Sequence, residues 1–163
     1  MKKLDTASFV GIIVLVVLAL TVGTVIVTSI DIFSGSKSDL TYVTFVQEHN
    51  NGTLDEITVG YKDDIVYEYV WATIYPKDVW SEEELEEMKA QYRIYADENK
   101  SLKFYKVKIK ENGKELFISE IYKDLDKEEN IKSLYEGGWL EEAEHMMYSR
   151  IESDLLSMGF VKK

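Results

Sequence analysis

The chain has 163 residues, a net charge of −11, one proline and no cysteine. That length is about one domain; without cysteine there is no disulfide framework, thiolate metal site, cysteine nucleophile or lipid-modified cysteine. Thirty acidic residues against nineteen basic ones exclude a nucleic-acid partner, because counterion-release binding needs a surplus of cationic groups facing the phosphates.

The average conceals an uneven start. Thr6 to Ile30 carries no charge, and fifteen of the 22 residues from Phe9 to Ile30 are Phe, Ile, Leu or Val. As an α-helix this run reaches roughly 33 Å, enough for a hydrocarbon core of about 30 Å. Helix is the conformation that satisfies its backbone groups in lipid. The run is longer than the apolar part of a cleaved signal peptide, so an uncleaved signal anchor is expected at 9–30. Lys2 and Lys3 precede it, while Asp31 and Asp39 follow with Lys37 the lone nearby cation. The positive-inside rule places residues 1–8 in the cytoplasm and the rest outside, as a single-pass protein of the cell membrane. Beyond the span, residues 31–163 hold 29 acidic and 17 basic residues, a net charge of −12.

Residues 31–40, with Ser34-Gly35-Ser36-Lys37-Ser38-Asp39, form a polar tether. A domain of residues 41–163 then begins with two strands, Tyr42 to Glu48 and Leu54 to Tyr61, around Asn50-Asn51-Gly52. Asn-Gly favours a two-residue type I′ hairpin turn, which needs positive φ at both positions. Lys62-Asp63-Asp64 leads into a third strand, Ile65 to Tyr75, the most apolar and expected at the centre of the sheet. Strict alternation puts Ile65, Tyr67, Tyr69, Trp71, Thr73 and Tyr75 on one face, with Val66, Val70 and Ile74 on the other.

Ser81 and Glu84 form a capping box, and Trp80 and Leu85 take the staple positions of a helix from Glu82 to about Asp97. Leu85, Met88, Tyr92 and Tyr95 make its apolar stripe. A second Asn-Gly hairpin follows. Tyr105, Val107 and Ile109 alternate with Lys106, Lys108 and Lys110, Asn112-Gly113 turns the chain, and Leu116 to Tyr122 returns. The charged stretch Asp124 to Glu136 suits a short helix ended by Gly137-Gly138. A last helix is expected from about Leu140 to Met158, with Leu140, Ala143, Met147, Ile151, Leu155 and Met158 on one stripe. Gly159 then stands at C′ and Phe160 at C″. Together these elements make an α+β domain, an antiparallel sheet of about five strands packed by two or three helices.

Chemistry is sparse. GxGxxG, P-loop, HExxH and GxSxG motifs are absent. His49 and His145 sit in different elements without a second ligand type at metal spacing, and each suits a boundary position. Asp124-Leu125-Asp126-Lys127-Glu128 fails as an EF-hand, with Glu129 where glycine is needed and Tyr135 at the twelfth position. No catalytic residue, metal ligand set or cofactor is therefore expected. The aromatic positions Tyr67, Tyr69, Trp71 and Tyr75 have two readings: a ligand-stacking platform, or a core face under the helices. The second is the commoner use of such a face.

The opening hairpin, Gly60-Tyr61-Lys62-Asp63-Asp64, Ser81-Glu82-Glu83-Glu84-Leu85, the second hairpin and the ending Leu156-Ser157-Met158-Gly159-Phe160 together resemble the YehR-like family of small bacterial lipoproteins over roughly residues 41–161. The resemblance implies an extracytoplasmic domain held at the cell envelope and lends no catalytic residue. Its members carry an acylated lipobox cysteine; here the region reads Ile32-Phe33-Ser34-Gly35-Ser36, so the apolar run stands in for the lipid. The expectation is a membrane-anchored domain that binds a protein, peptide or cell-wall ligand and does not catalyse. The alternatives are a carboxylate- or metal-dependent envelope enzyme and an accessory subunit of a membrane complex.

Overall fold

The computed structural model describes residues 39–163 except 142 and 143. The expected span at 9–30 and most of the tether lie outside the described residues. Among those described, no helix is long and apolar enough to cross a membrane.

The domain is α+β. Strands β1 (Thr41–Glu48), β2 (Leu54–Lys62), β3 (Ile65–Pro76), β4 (Tyr105–Glu111), β5 (Glu115–Tyr122) and β6 (Val161–Lys162) form one antiparallel sheet in the order β4-β5-β3-β2-β1-β6. Helices α1 (Glu82–Glu98), α2 (Glu128–Glu136) and α3 (Tyr148–Ser157) complete it. The sixth strand is additional to the five expected: two residues after α3 pair with Phe45 and Val46 at the β1 edge. β3 lies between β5 and β2, inside the sheet as its apolar sequence requires.

The hairpin turns depart from the Asn-Gly expectation. The first loop has three residues, with the Gly52 N–H donating to the His49 carbonyl and only Gly52 at positive φ, 78°. That pattern is a type I turn closed by a bulge glycine. At the second, the Asn112 side-chain carbonyl accepts from the N–H groups of Lys114 and Glu115, an Asx turn. Positive φ at two successive positions occurs instead at Asp63 (50°) and Asp64 (66°), between the paired residues Lys62 and Ile65. This is the type I′ geometry, tolerated by Asp because its short polar side chain bonds locally.

Strict alternation in β3 also fails at one point. Gly60 pairs with Glu68 and Tyr61 with Val66, so Tyr67 is an unpaired bulge residue. Bulges shift the side-chain phase by one, and Val66 consequently joins the core face with Tyr69 and Trp71. The neighbouring Gly60 is fixed by crowding, since a Cβ there would lie 2.6 Å from the Tyr42 ring.

α1 begins as its sequence dictates. The Ser81 N–H donates to Glu84 Oε2 at 2.9 Å, the Glu84 N–H donates to Ser81 Oγ at 3.3 Å, and Trp80 packs with Leu85 against Tyr75, Leu116 and Ile118. α3 starts later than expected, at Tyr148 instead of about Leu140. The chain before it is claimed by the sheet: the Val66 N–H donates to the Met146 carbonyl at 2.9 Å, and Met147 bridges Ile65. A backbone paired to a strand cannot also wind into a helix. Ile151 and Leu155 keep their core-facing places, whereas Met147 and Met158 are exposed. The C-terminus follows the expected Schellman pattern, with Gly159 at φ 94° and the buried Phe160 donating its N–H to Leu155.

The start of α3 has no side-chain cap of its own. Asp64 supplies one from the β2–β3 turn. Its carboxylate accepts from the Ser149 N–H at 2.8 Å and the Ser149 hydroxyl at 2.7 Å, while its carbonyl accepts from the Tyr148 N–H at 2.7 Å. Asp64→Ala is expected to cost about 2 kcal/mol, combining a lost cap with an alanine forced to positive φ. Asp64→Asn, which tolerates that φ and keeps an acceptor oxygen, should cost less than half as much in urea denaturation.

Candidate functional site

One face of the sheet carries the main core. Phe45, Ile57, Val59, Val66 and Leu125 are buried there with Tyr105, Tyr148, Leu155 and Phe160. Across the strands, Tyr105, Tyr122 and Tyr69 align in one rank, and Val107, Glu120, Trp71 and Ile57 in the next. α1 does not close over these ranks. A cleft of about 650 Å³ remains beside it, lined by residues including Tyr69, Trp71, Tyr92, Glu120, Tyr122 and Trp139. That volume is within the usual range for small-molecule sites.

Of the four aromatic positions picked out in β3, the structure brings Tyr69 and Trp71 to this cleft. Tyr75 belongs to the separate cluster beneath α1, edge-on to Trp80 at 5.4 Å between ring centroids. Tyr67 is the bulge residue, and its carbonyl accepts the Leu125 N–H at 3.0 Å. The two readings of the aromatic face therefore divide by residue, with Tyr69 and Trp71 both packed against the core and open to the cleft.

Trp139 and Glu120 were not anticipated. Trp139 follows Gly137-Gly138, where the chain leaves α2 and turns back onto the sheet. Its N–H donates to the Leu134 carbonyl at 2.8 Å, and its ring meets Tyr105 and Tyr122 edge-on at 5.3 and 5.7 Å. The available signal is a tryptophan placed directly after a helix-stopping glycine pair. Glu120 had a clearer one: it shares a face with Leu116, Ile118 and Tyr122, so β5 puts a carboxylate among core positions.

The Glu120 carboxylate is held by hydroxyls. Tyr105 donates to Oε2 at 2.8 Å and Tyr122 to the same oxygen at 3.3 Å. Burial, reinforced by the Glu120 charge, pushes the phenols of Tyr105 and Tyr122 far above the usual tyrosine range. Both therefore remain protonated donors at any physiological pH. Tyr69 is raised chiefly by burial and then by Asp55 and Glu120.

A second polar group lies further along the sheet. Asp55 accepts from the Thr73 hydroxyl at 2.7 Å, and His49 Nε2 lies 2.9 Å from its other oxygen. His145 is exposed. Among the described residues, no three His, Cys, Asp or Glu side chains come together in a metal-binding group.

No protein-family model matches the chain, and no curated protein matches it. In fold it is similar to a protein from Streptococcus pneumoniae TIGR4 whose NMR structure is solved. The two are 18% identical with a TM-score of 0.50, over 80% of this chain and 88% of that one. At that identity the likeness bears on the fold alone.

Proposed function

We propose that the protein is a single-pass membrane protein of the bacterial cell envelope whose external α+β domain binds a ligand in the cleft between the sheet and α1. The carrying observation is the cleft itself, roomy, aromatic and lined, among the described residues, by one carboxylate. Glu120, the acid that the described lining supplies, suits a counter-ion in a binding site. The anchor rests on the uncharged run Phe9 to Ile30 and the lysines before it. Kinship with YehR-like lipoproteins rests on the layout of residues 41–161, with protein replacing lipid as the anchor.

Two measurements test this reading. The full chain should sediment with membranes and resist carbonate extraction; release by carbonate, or a mature N-terminus beyond residue 30, would sink the anchor. For the cleft, the wild-type chain purified from envelope extracts should retain a small molecule that mass spectrometry no longer finds with Trp71→Leu. Equal retention by both chains would remove the cleft from the function.

A further inference from the structure

We infer that the ligand of the cleft is a small organic ammonium ion, held against the aromatic side chains with the Glu120 carboxylate as its counter-ion. The inference rests on the binding role proposed above and adds the chemistry of what is bound.

The first support is an incomplete electrostatic environment. Both hydroxyl bonds to Glu120 land on Oε2, and among the described residues no donor reaches Oε1. Nor does any described Lys, Arg or His form an ion pair with this carboxylate. Yet Glu120 lies across the sheet from Trp71 and Val107 and between the core-face positions Ile118 and Tyr122. Glu120 is half-buried, so a charge of opposite sign bound in the cleft would compensate it where water does so only in part. Neutral tyrosine hydroxyls supply hydrogen bonds but no positive charge, so the site keeps a net charge of −1 that a monocation would match.

The second support is the character of the walls. Trp71, Tyr92, Tyr95 and Trp139 contribute to the same lining as Glu120. Aromatic faces carry negative quadrupole potential and attract ammonium groups, strongly so where water is excluded. Apolar Met88, Leu125 and Leu140 complete the lining and suit the carbon portion of an organic cation. A bare metal ion would use neither the aromatic faces nor the volume.

Charge and shape together therefore select against the other ligand classes. An anion would meet Glu120 in a domain already carrying −12. A neutral ligand would leave the carboxylate uncompensated. The volume of about 650 Å³ is that of a small-molecule site.

The test uses the full chain in a non-ionic maltoside detergent, with calorimetry and tryptophan fluorescence as readouts. Four probes share one alkyl chain: hexyltrimethylammonium, hexylamine, hexanol and hexanoate. The expected result is binding of at least one ammonium probe at least tenfold tighter than hexanol, with no binding of hexanoate. Glu120→Gln, which preserves shape and an acceptor for both tyrosines, should bring ammonium and hexanol to within about twofold. Hexanol binding as tightly as the ammonium probes, or an ammonium preference that survives in E120Q, overturns the inference and leaves the binding role standing. Failure of both ammonium probes overturns the inference, and the retention experiment with Trp71→Leu then decides the binding role by itself. A lysine-containing pentapeptide is the remaining arm; if it binds more tightly than hexylamine, the small-molecule assignment falls. The wild-type comparison needs no variant, so a poorly folded E120Q would not shield the inference.

Discussion

Shortening Leu125 to alanine is expected to lower the unfolding free energy by about 3 kcal/mol, within the range for deleting a buried leucine side chain. Leu125 is completely buried, and two constraints prevent its surroundings from collapsing into the space. Its N–H is tied to the Tyr67 carbonyl at the β3 bulge, and Asp124 before it is held at φ 54°. The same side chain lines the cleft, so the cavity would open into the ligand space. For a domain with a typical stability of about 5–15 kcal/mol, the loss is large. Urea denaturation should show a lower midpoint with an unchanged slope. A cost below about 1 kcal/mol would mean that the surroundings of Leu125 collapse into the space it leaves, against the two constraints named above.

Raising the pH above 10 is expected to unfold the domain steeply. Six of the eleven tyrosines have phenols raised above their usual value, chiefly by burial. Tyr75 is pushed up to about 12, while Tyr69, Tyr105 and Tyr122 go higher still. A group with a raised folded-state pKa contributes fully below its unfolded pKa, here about 10, and the contribution disappears as the pH climbs toward the folded value. Each proton lost only on unfolding adds a slope of about 1.4 kcal/mol per pH unit. Lys162, raised by its bond to Glu152, acts in the same direction; Lys163, lowered by burial, acts against it.

Stability should accordingly stay level up to about pH 10 and then fall more steeply than one ionisation allows. Tyrosinate absorbance should rise in two stages, exposed phenols first and the buried set together with loss of tertiary signal. Tyr105→Phe should flatten the descent by removing one such proton, although it also takes a hydrogen bond from Glu120. A buried set that titrates smoothly near pH 10 in the folded chain would contradict this account.

Both effects depend on residues whose neighbours come from distant segments, and that separation marks how far the sequence could be read. The start of α1 was legible because a capping box and staple operate within six residues, 80 to 85. The end of α3 was legible too, since Gly159 and Phe160 close on the turn just before them. The alternation of Lys106, Lys108 and Lys110 with Val107 and Ile109 marked a strand with two unlike faces for the same local reason. These features need only near neighbours along the chain.

The tertiary structure decided what required partners. Pairing of Gly60 with Glu68 and Tyr61 with Val66 created the bulge, which no period-two count along β3 could reveal. The start of α3 was set by Asp64 and Val66, more than eighty residues earlier. The cleft gathers Trp71 from β3, Tyr92 from α1, Glu120 from β5 and Trp139 from beyond α2. By itself the sequence determined the first five strands, the capped start of α1, the glycine close of α3, the acidic charge and the uncharged run at the N-terminus, all carried by residues near one another in the chain. Register across the sheet decided which aromatic side chains share a face and which carboxylate stands among them, because strand pairing joins residues that chain distance keeps apart.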